Sequence, residues 1–205
     1  MTLPVLTPES LAQAQQSITG TFYWEKKDLP AFLNLASSLL ELALKLAASA
    51  ETNETANQFR DLAIRNTYNI ASMTWPGWDE AGIDISAEQQ LTGLSAAEMN
   101  VEMAAAQSLS PQRRQMGLWI LGVQELAAGR FPEARATLLL QRQLLVDNDL
   151  PGAEVTAGYL TFIDDLETGS NNVLVAIDQL KASSDKETAE QGGILETAIQ
   201  ILRQN

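Results

Sequence analysis

Two of the side chains that most often do chemistry are missing from this chain. Its 205 residues include no histidine and no cysteine. No imidazole is therefore present to act as a base near neutrality or as a metal ligand, and no thiol to act as nucleophile, zinc ligand or disulfide partner. Ser–His and Cys–His arrangements and zinc-hydrolase sites are excluded within the chain. Carboxylates, arginines and tryptophans remain. The densest acidic group is Asp164-Asp165-Leu166-Glu167. Aspartates on one helix could hold magnesium and, through it, a diphosphate. That chemistry needs a second acidic motif and a basic clamp, and neither lies alongside, so a solvated helix face is the simpler reading. Gly192-Gly193 lacks the lysine and the strand context of a phosphate-cradling loop. No metal or cofactor is expected.

The arginines are unevenly placed. Arg113, Arg114, Arg130, Arg135 and Arg142 lie between two acidic blocks. Stacked neighbours would bring them to those acids as surface pairs worth about 0–1 kcal/mol each. The sharper reading takes Arg135 and Arg142, seven apart on one helix, as a clamp in a groove for a partner's carboxylate or phosphate. Trp75-Pro76-Gly77-Trp78 is the second candidate. Pro-Gly suits the centre of a type II turn. The two indoles either plug a gap between helix pairs or anchor a peptide or small ligand, since tryptophan is enriched at binding hot spots.

The elements that must hold these residues all read as helices. Thr7-Pro8-Glu9 is a start signal, and Gly20 is expected to stop a short first helix near Thr19. Asp28-Leu29-Pro30 opens a leucine-dense helix reaching Ala50, and Thr52 caps the next, ending near Met73. After a loop from Asp79 to Ser86, both Ser86-Ala-Glu-Gln89 and Ser95-Ala-Ala-Glu98 fit the capping-box pattern. With Gly93 between them, they predict a short helix, a break and a second helix through Ala106, with one kinked helix as the alternative. Ser110-Pro111 starts a central pair. In its first helix Met116, Trp119, Ile120, Val123 and Ala127 keep helical spacing. In its second, Ala134, Leu138 and Leu145 form one stripe and Leu139, Leu140 and Leu144 another, which predicts packing on more than one side. Asp149-Leu150-Pro151 leads to a helix on Val155, Tyr159, Phe162, Ile163 and Leu166. A short helix and a last one follow, with a kink, a late start or fraying expected at Gly192-Gly193. No stretch alternates with a period of two, so no strand is expected.

The central pair resembles a tetratricopeptide repeat. Leu121-Gly122, Gly129, Phe131, Ala134 and Leu138 stand at that family's offsets, in one unit of about 34 residues, Gln115–Asn148. Glu125, Gln141 and Val146 depart from its pattern. The resemblance implies an all-α fold: antiparallel helix pairs stacked as a short right-handed superhelix, one domain over 1–205, with a loop interrupting it at 74–86. It also implies a groove lined by the first helix of the pair, where Met116, Trp119, Val123 and Leu126 would meet a partner.

Charge narrows the partners. Thirteen basic residues against 26 acidic ones leave a net charge of -13. Such a chain repels nucleic acid and anionic membrane surfaces as a whole. The opening Met1–Glu9 lacks a basic region and an apolar core, and the run Leu39–Ala48 carries Glu41 and Lys45, so neither a signal peptide nor a membrane span is expected. A cytoplasmic, non-catalytic scaffold or adaptor that holds a protein or peptide is the leading expectation. An acidic homo-oligomeric assembly or regulatory subunit is the alternative. An enzyme working with carboxylates or magnesium ranks last.

Overall fold

A computed structural model describes residues 6–203. Met1–Val5, the first part of the segment read as lacking a leader, lie outside the described residues. Among those described, nine α-helices and no strand are found. They are α1 (Pro8–Ile18), α2 (Leu29–Ser49), α3 (Asn53–Met73), α4 (Ala87–Ala106), α5 (Pro111–Ala127), α6 (Phe131–Asp147), α7 (Ala153–Thr168), α8 (Asn172–Lys181) and α9 (Lys186–Leu202). Each helix packs against the next, α3 also touches α5, α7 also touches α9, and α9 lies on the turn Pro76–Trp78.

Local chemistry sets the starts. The side chains of Thr7, Asp28, Thr52, Ser86 and Asp185 each accept a hydrogen bond from a backbone N–H of the first turn. Ser86 and Gln89 close a reciprocal capping box, which satisfies two donors that a helix start leaves unpaired.

Several expected breaks are absent. Gly20 does not end the first helix; the chain continues through Glu25 as a π-helical segment, Thr19–Glu25. α4 runs unbroken through Gly93 and Ser95. Gly93 is there for proximity: a Cβ would fall 2.8 Å from Gln124 Nε2 of α5 and collide with the Thr74 hydroxyl. α9 is also continuous, and Gly192 admits α8, since a Cβ would lie 2.9 Å from that of Leu180. Pro76-Gly77 is not a type II turn. Gly77 does not have positive φ; Pro76–Trp78 is one turn of 3-10 helix, closed by Asp79 at φ 49°.

The expected central hairpin forms. Gly129 takes φ +72°, the left-handed conformation that lets α5 end and α6 start within three residues. Gly122 has Leu138 so close that a Cβ would sit 2.8 Å from its side chain. α5 is buried almost all round from Gly117 to Leu126. α6 is not. Ala134, Leu138 and Leu145 are buried, whereas in the second stripe Leu144 is half-buried and Leu139 and Leu140 are exposed. α2 is longer than its apolar run. At 21 residues and mean hydropathy 1.4 it is, among the described residues, the one helix long and apolar enough to cross a membrane, and it packs here against α3.

Buried amides fasten the layers. Asn66 Nδ2 of α3 donates to the Ala36 carbonyl of α2 at 2.6 Å. Asn100 Nδ2 of α4 donates to the Ile64 carbonyl of α3 at 2.7 Å, and Gln124 Nε2 of α5 to the Ala71 carbonyl of α3 at 2.7 Å. Gln141 of α6 donates to Gln115 of α5 and accepts from Thr156 of α7. In a low-dielectric interior each such bond works only in one register, so the amides select how the helices slide past one another.

Candidate functional site

An aromatic knot occupies the middle of the molecule. Trp75, fully buried, has ring centroids of Trp78 at 4.9 Å, Trp119 at 5.3 Å and Tyr159 at 6.5 Å, all edge-on. Edge-to-face geometry is the favoured arrangement of such rings. Gly77 makes it fit, since a Cβ there would enter the Trp75 ring, 2.7 Å from Cη2. Trp78 donates its indole N–H to the Ser72 carbonyl at 2.9 Å. Trp75 is thus a core residue, with no surface left to offer a ligand. Trp78 and Trp119 are half-buried and keep one edge free.

Those free edges open on a groove. Two adjoining cavities share Tyr68 and Met116 in their walls. One, of about 540 Å³, is lined by Gln15, Gln16, Trp24, Tyr68, Asn69 and Arg113 among others. The other, of about 360 Å³, is lined by Trp78, Trp119, Val155, Thr188 and Gln191 among others. The walls come chiefly from α1, α3, α5, α7 and α9, so alternate helices face the groove. Trp24 projects from the π-helical segment, half exposed; single π-turns are frequent at functional positions. A larger cleft of about 1340 Å³, between α1 and the ends of α3 and α4, has charges of both signs and no aromatic side chain in its walls.

The expected site residues divide. Met116, 42 % exposed, lines the groove together with Trp119 and Trp78. Val123 and Leu126 do not, because both are buried in the core against the neighbouring helices. Helical spacing put all four on α5, and only packing distinguishes the edge turned to the groove from the edge turned inward. The Arg135–Arg142 clamp is not formed. Arg135 is held by Asp164 at 2.6 Å and Glu167 at 3.0 Å of α7, and those acids together with burial-opposed hydrogen bonding leave its guanidinium more firmly protonated than usual. Arg142 stands exposed on the outer side of α6.

The acidic cluster is consumed structurally. Asp164 and Glu167 bind Arg135. Asp165, buried, accepts from the Ser170 hydroxyl at 2.5 Å and the Val173 N–H at 2.8 Å. Burial alone would raise its carboxyl, but the hydrogen bonds from Ser170, Val173 and Asn172 and the nearby Arg203 outweigh it and hold the group below the usual carboxylate range. Among the described residues no group of three or more acids is placed to hold a metal ion.

Neighbour compensation accounts for most of the other arginines. Arg113 and Arg65 share Asp61, and Arg130 meets Glu98 at 3.0 Å. Two guanidiniums on one carboxylate leave a surplus positive charge at one end of the groove. Glu125 is the buried exception. Burial pushes its carboxyl up, Glu133 and Glu98 push the same way, and a hydrogen bond from Thr137 and the charge of Arg130 oppose them; its Oε2 has no partner.

Tyr68, Trp24, Arg65, Asn69 and the Gln15–Gln16 pair are groove residues that spacing did not single out. Tyr68 lies on α3 and Trp24 on the π-helical segment after α1, so their meeting depends on α1 packing against α3. No protein-family model, curated protein or solved structure matches the chain.

Proposed function

We propose that this chain is a non-catalytic scaffold that holds a peptide, or an extended segment of a protein partner, in the groove between α1 and α9. In this reading its helix pairs form a short right-handed superhelix of the tetratricopeptide kind, with alternate helices lining the concave side. The supporting features are the close α5–α6 hairpin at Gly129 and Gly122 and the alternation of groove-facing helices. The observation that carries the binding role is the convergence of Trp24, Tyr68, Met116, Trp119 and Trp78 on one groove from four elements far apart in sequence.

Physical chemistry favours a peptide as the occupant. Aromatic edges and a methionine supply apolar anchors. Gln16, Asn69, Gln115 and Gln191 supply donors and acceptors of the kind that pair with backbone amides. The Arg65–Arg113 end would draw the acidic part of a peptide, against the chain's overall negative charge. That overall charge argues against nucleic acid or an anionic membrane as the ligand.

The test is selection of binders from a random peptide library on the intact protein, followed by tryptophan emission of the complex. Trp119 and Trp78 emission should shift on binding, and Met116→Asp should cut affinity at least about tenfold, a loss of about 1.4 kcal/mol, with the helical signal unchanged. Peptides that bind Met116→Asp as well as the parent would remove the groove from the reading.

A further inference from the structure

The outer face of α6 presents an exposed apolar stripe whose residues line neither cavity of the groove. Pro132, Ala136, Leu139, Gln143 and Val146 are all exposed and follow one another at steps of four, three, four and three. That alternation is the seam of a left-handed coiled coil. Leu139, Leu140 and Val146 are 50 %, 63 % and 59 % exposed, large apolar groups on a helix whose opposite side, Ala134, Leu138 and Leu145, is already fully used. No charged residue occupies a seam position.

The seam's flanks are charged in a complementary way. Arg142 lies on one side of Gln143 and Asp147 on the other, five residues later in the chain. Among the described residues Arg142 takes part in no ion pair, unlike Arg65, Arg113, Arg130 and Arg135. Asp147 is positioned by Gln143, whose Nε2 donates to it at 2.6 Å. In a parallel two-stranded coil the residue before one seam position meets the partner's residue five further on. Two copies of α6 related by a two-fold axis along the helix would therefore set Arg142 against the partner copy's aspartate at 147, twice by symmetry. An antiparallel pairing would instead bring like flanks together.

We infer that α6 is a self-association surface, and that a second copy of this chain docks on it in parallel through Leu139, Leu140 and Val146, with Arg142 and Asp147 as the reciprocal charge pair. The seam spans a helix of about 25 Å, so a micromolar, reversible dimer is expected. Leu139, Leu140, Arg142, Val146 and Asp147 line neither cavity of the groove, so peptide capture and self-association use different side chains.

Sedimentation equilibrium of the full chain across the micromolar range tests this. The parent should show a monomer–dimer equilibrium, and Leu140→Glu, a change at an exposed position, should be monomeric with unchanged circular dichroism. Arg142→Glu and Asp147→Arg should each weaken association about tenfold, and the two combined should restore it. A parent that stays monomeric, a dimer indifferent to Leu140→Glu, or a double variant no better than the single ones would each overturn the assignment. None of these results bears on peptide capture by the groove.

Discussion

At the scale of single residues, Arg135, Asp164, Asp165 and Glu167 are taken up in contacts between helices, and the most telling polar group is a buried carboxyl with one oxygen unpartnered. Glu125 of α5 is buried with one oxygen unsatisfied. An ionised carboxylate in that position costs stability. Its folded pKa is raised, so the protonated form is the one the fold prefers: any stabilisation from this group is full below the ordinary carboxylate value and is lost as pH rises through the folded pKa. Glu125→Gln should therefore stabilise the protein at neutral pH by about 1 kcal/mol, read as a shift of the urea midpoint. The advantage should shrink as pH falls towards the ordinary carboxylate range. A variant less stable than the parent at neutral pH would mean that the Thr137 hydrogen bond and Arg130 outweigh burial. Trp75 and Trp78 make the same point in apolar terms. Adjacent in a turn, they look equivalent in sequence, yet one is sealed in the knot and the other keeps an edge in the groove.

At the scale of elements, helix starts are local and legible, whereas helix interruptions are not. Thr7, Asp28, Thr52, Ser86 and Asp185 cap as their side-chain chemistry requires. Gly93 reads as a break or a kink, and Gly192 as a kink, a late start or a fraying point, since a glycine lowers helix propensity by about 1 kcal/mol; α4 and α9 run through them, and both are contact points where neighbouring side chains take the volume of a missing Cβ. Ser95 reads as a cap and lies mid-helix. The start of α8 shows a cap no short window reveals: Asn171 offers no side-chain bond, and Asp165, at the far side of the α7–α8 turn, caps Val173 in its place. Asp165→Ala should cost about 1–2 kcal/mol and should raise hydrogen exchange in α8 selectively. Because this carboxyl is held below its ordinary value, its stabilisation is present at neutral pH and lost as pH falls below that value through the folded pKa; parent and variant should converge there. Uniform loosening of all helices would contradict a local capping role.

At the scale of the whole molecule, a net charge of -13 repels itself across a compact surface, while the cross-helix ion pairs at Asp61, Glu98, Asp164 and Glu167 oppose that repulsion locally. Salt shortens the reach of both, from about 30 Å at 10 mM to about 8 Å at 0.15 M, and the long-range repulsion is screened first. Tm should therefore rise by a few degrees over that span; a fall would show that the ion pairs dominate. The sequence by itself determined the all-helical class, the caps, the hairpin at Gly129 and the lack of imidazole and thiol chemistry, because each depends on residue type within a turn or two. It also carried the arginine–acid compensation as a pattern. Only the tertiary structure decided which face of an apolar helix is core and which is surface. Val123 and Met116 share α5, and Leu138 and Leu139 are adjacent on α6, yet each pair splits between interior and solvent. That choice belongs to the neighbours a helix meets after the chain has folded, and those neighbours lie tens of residues away.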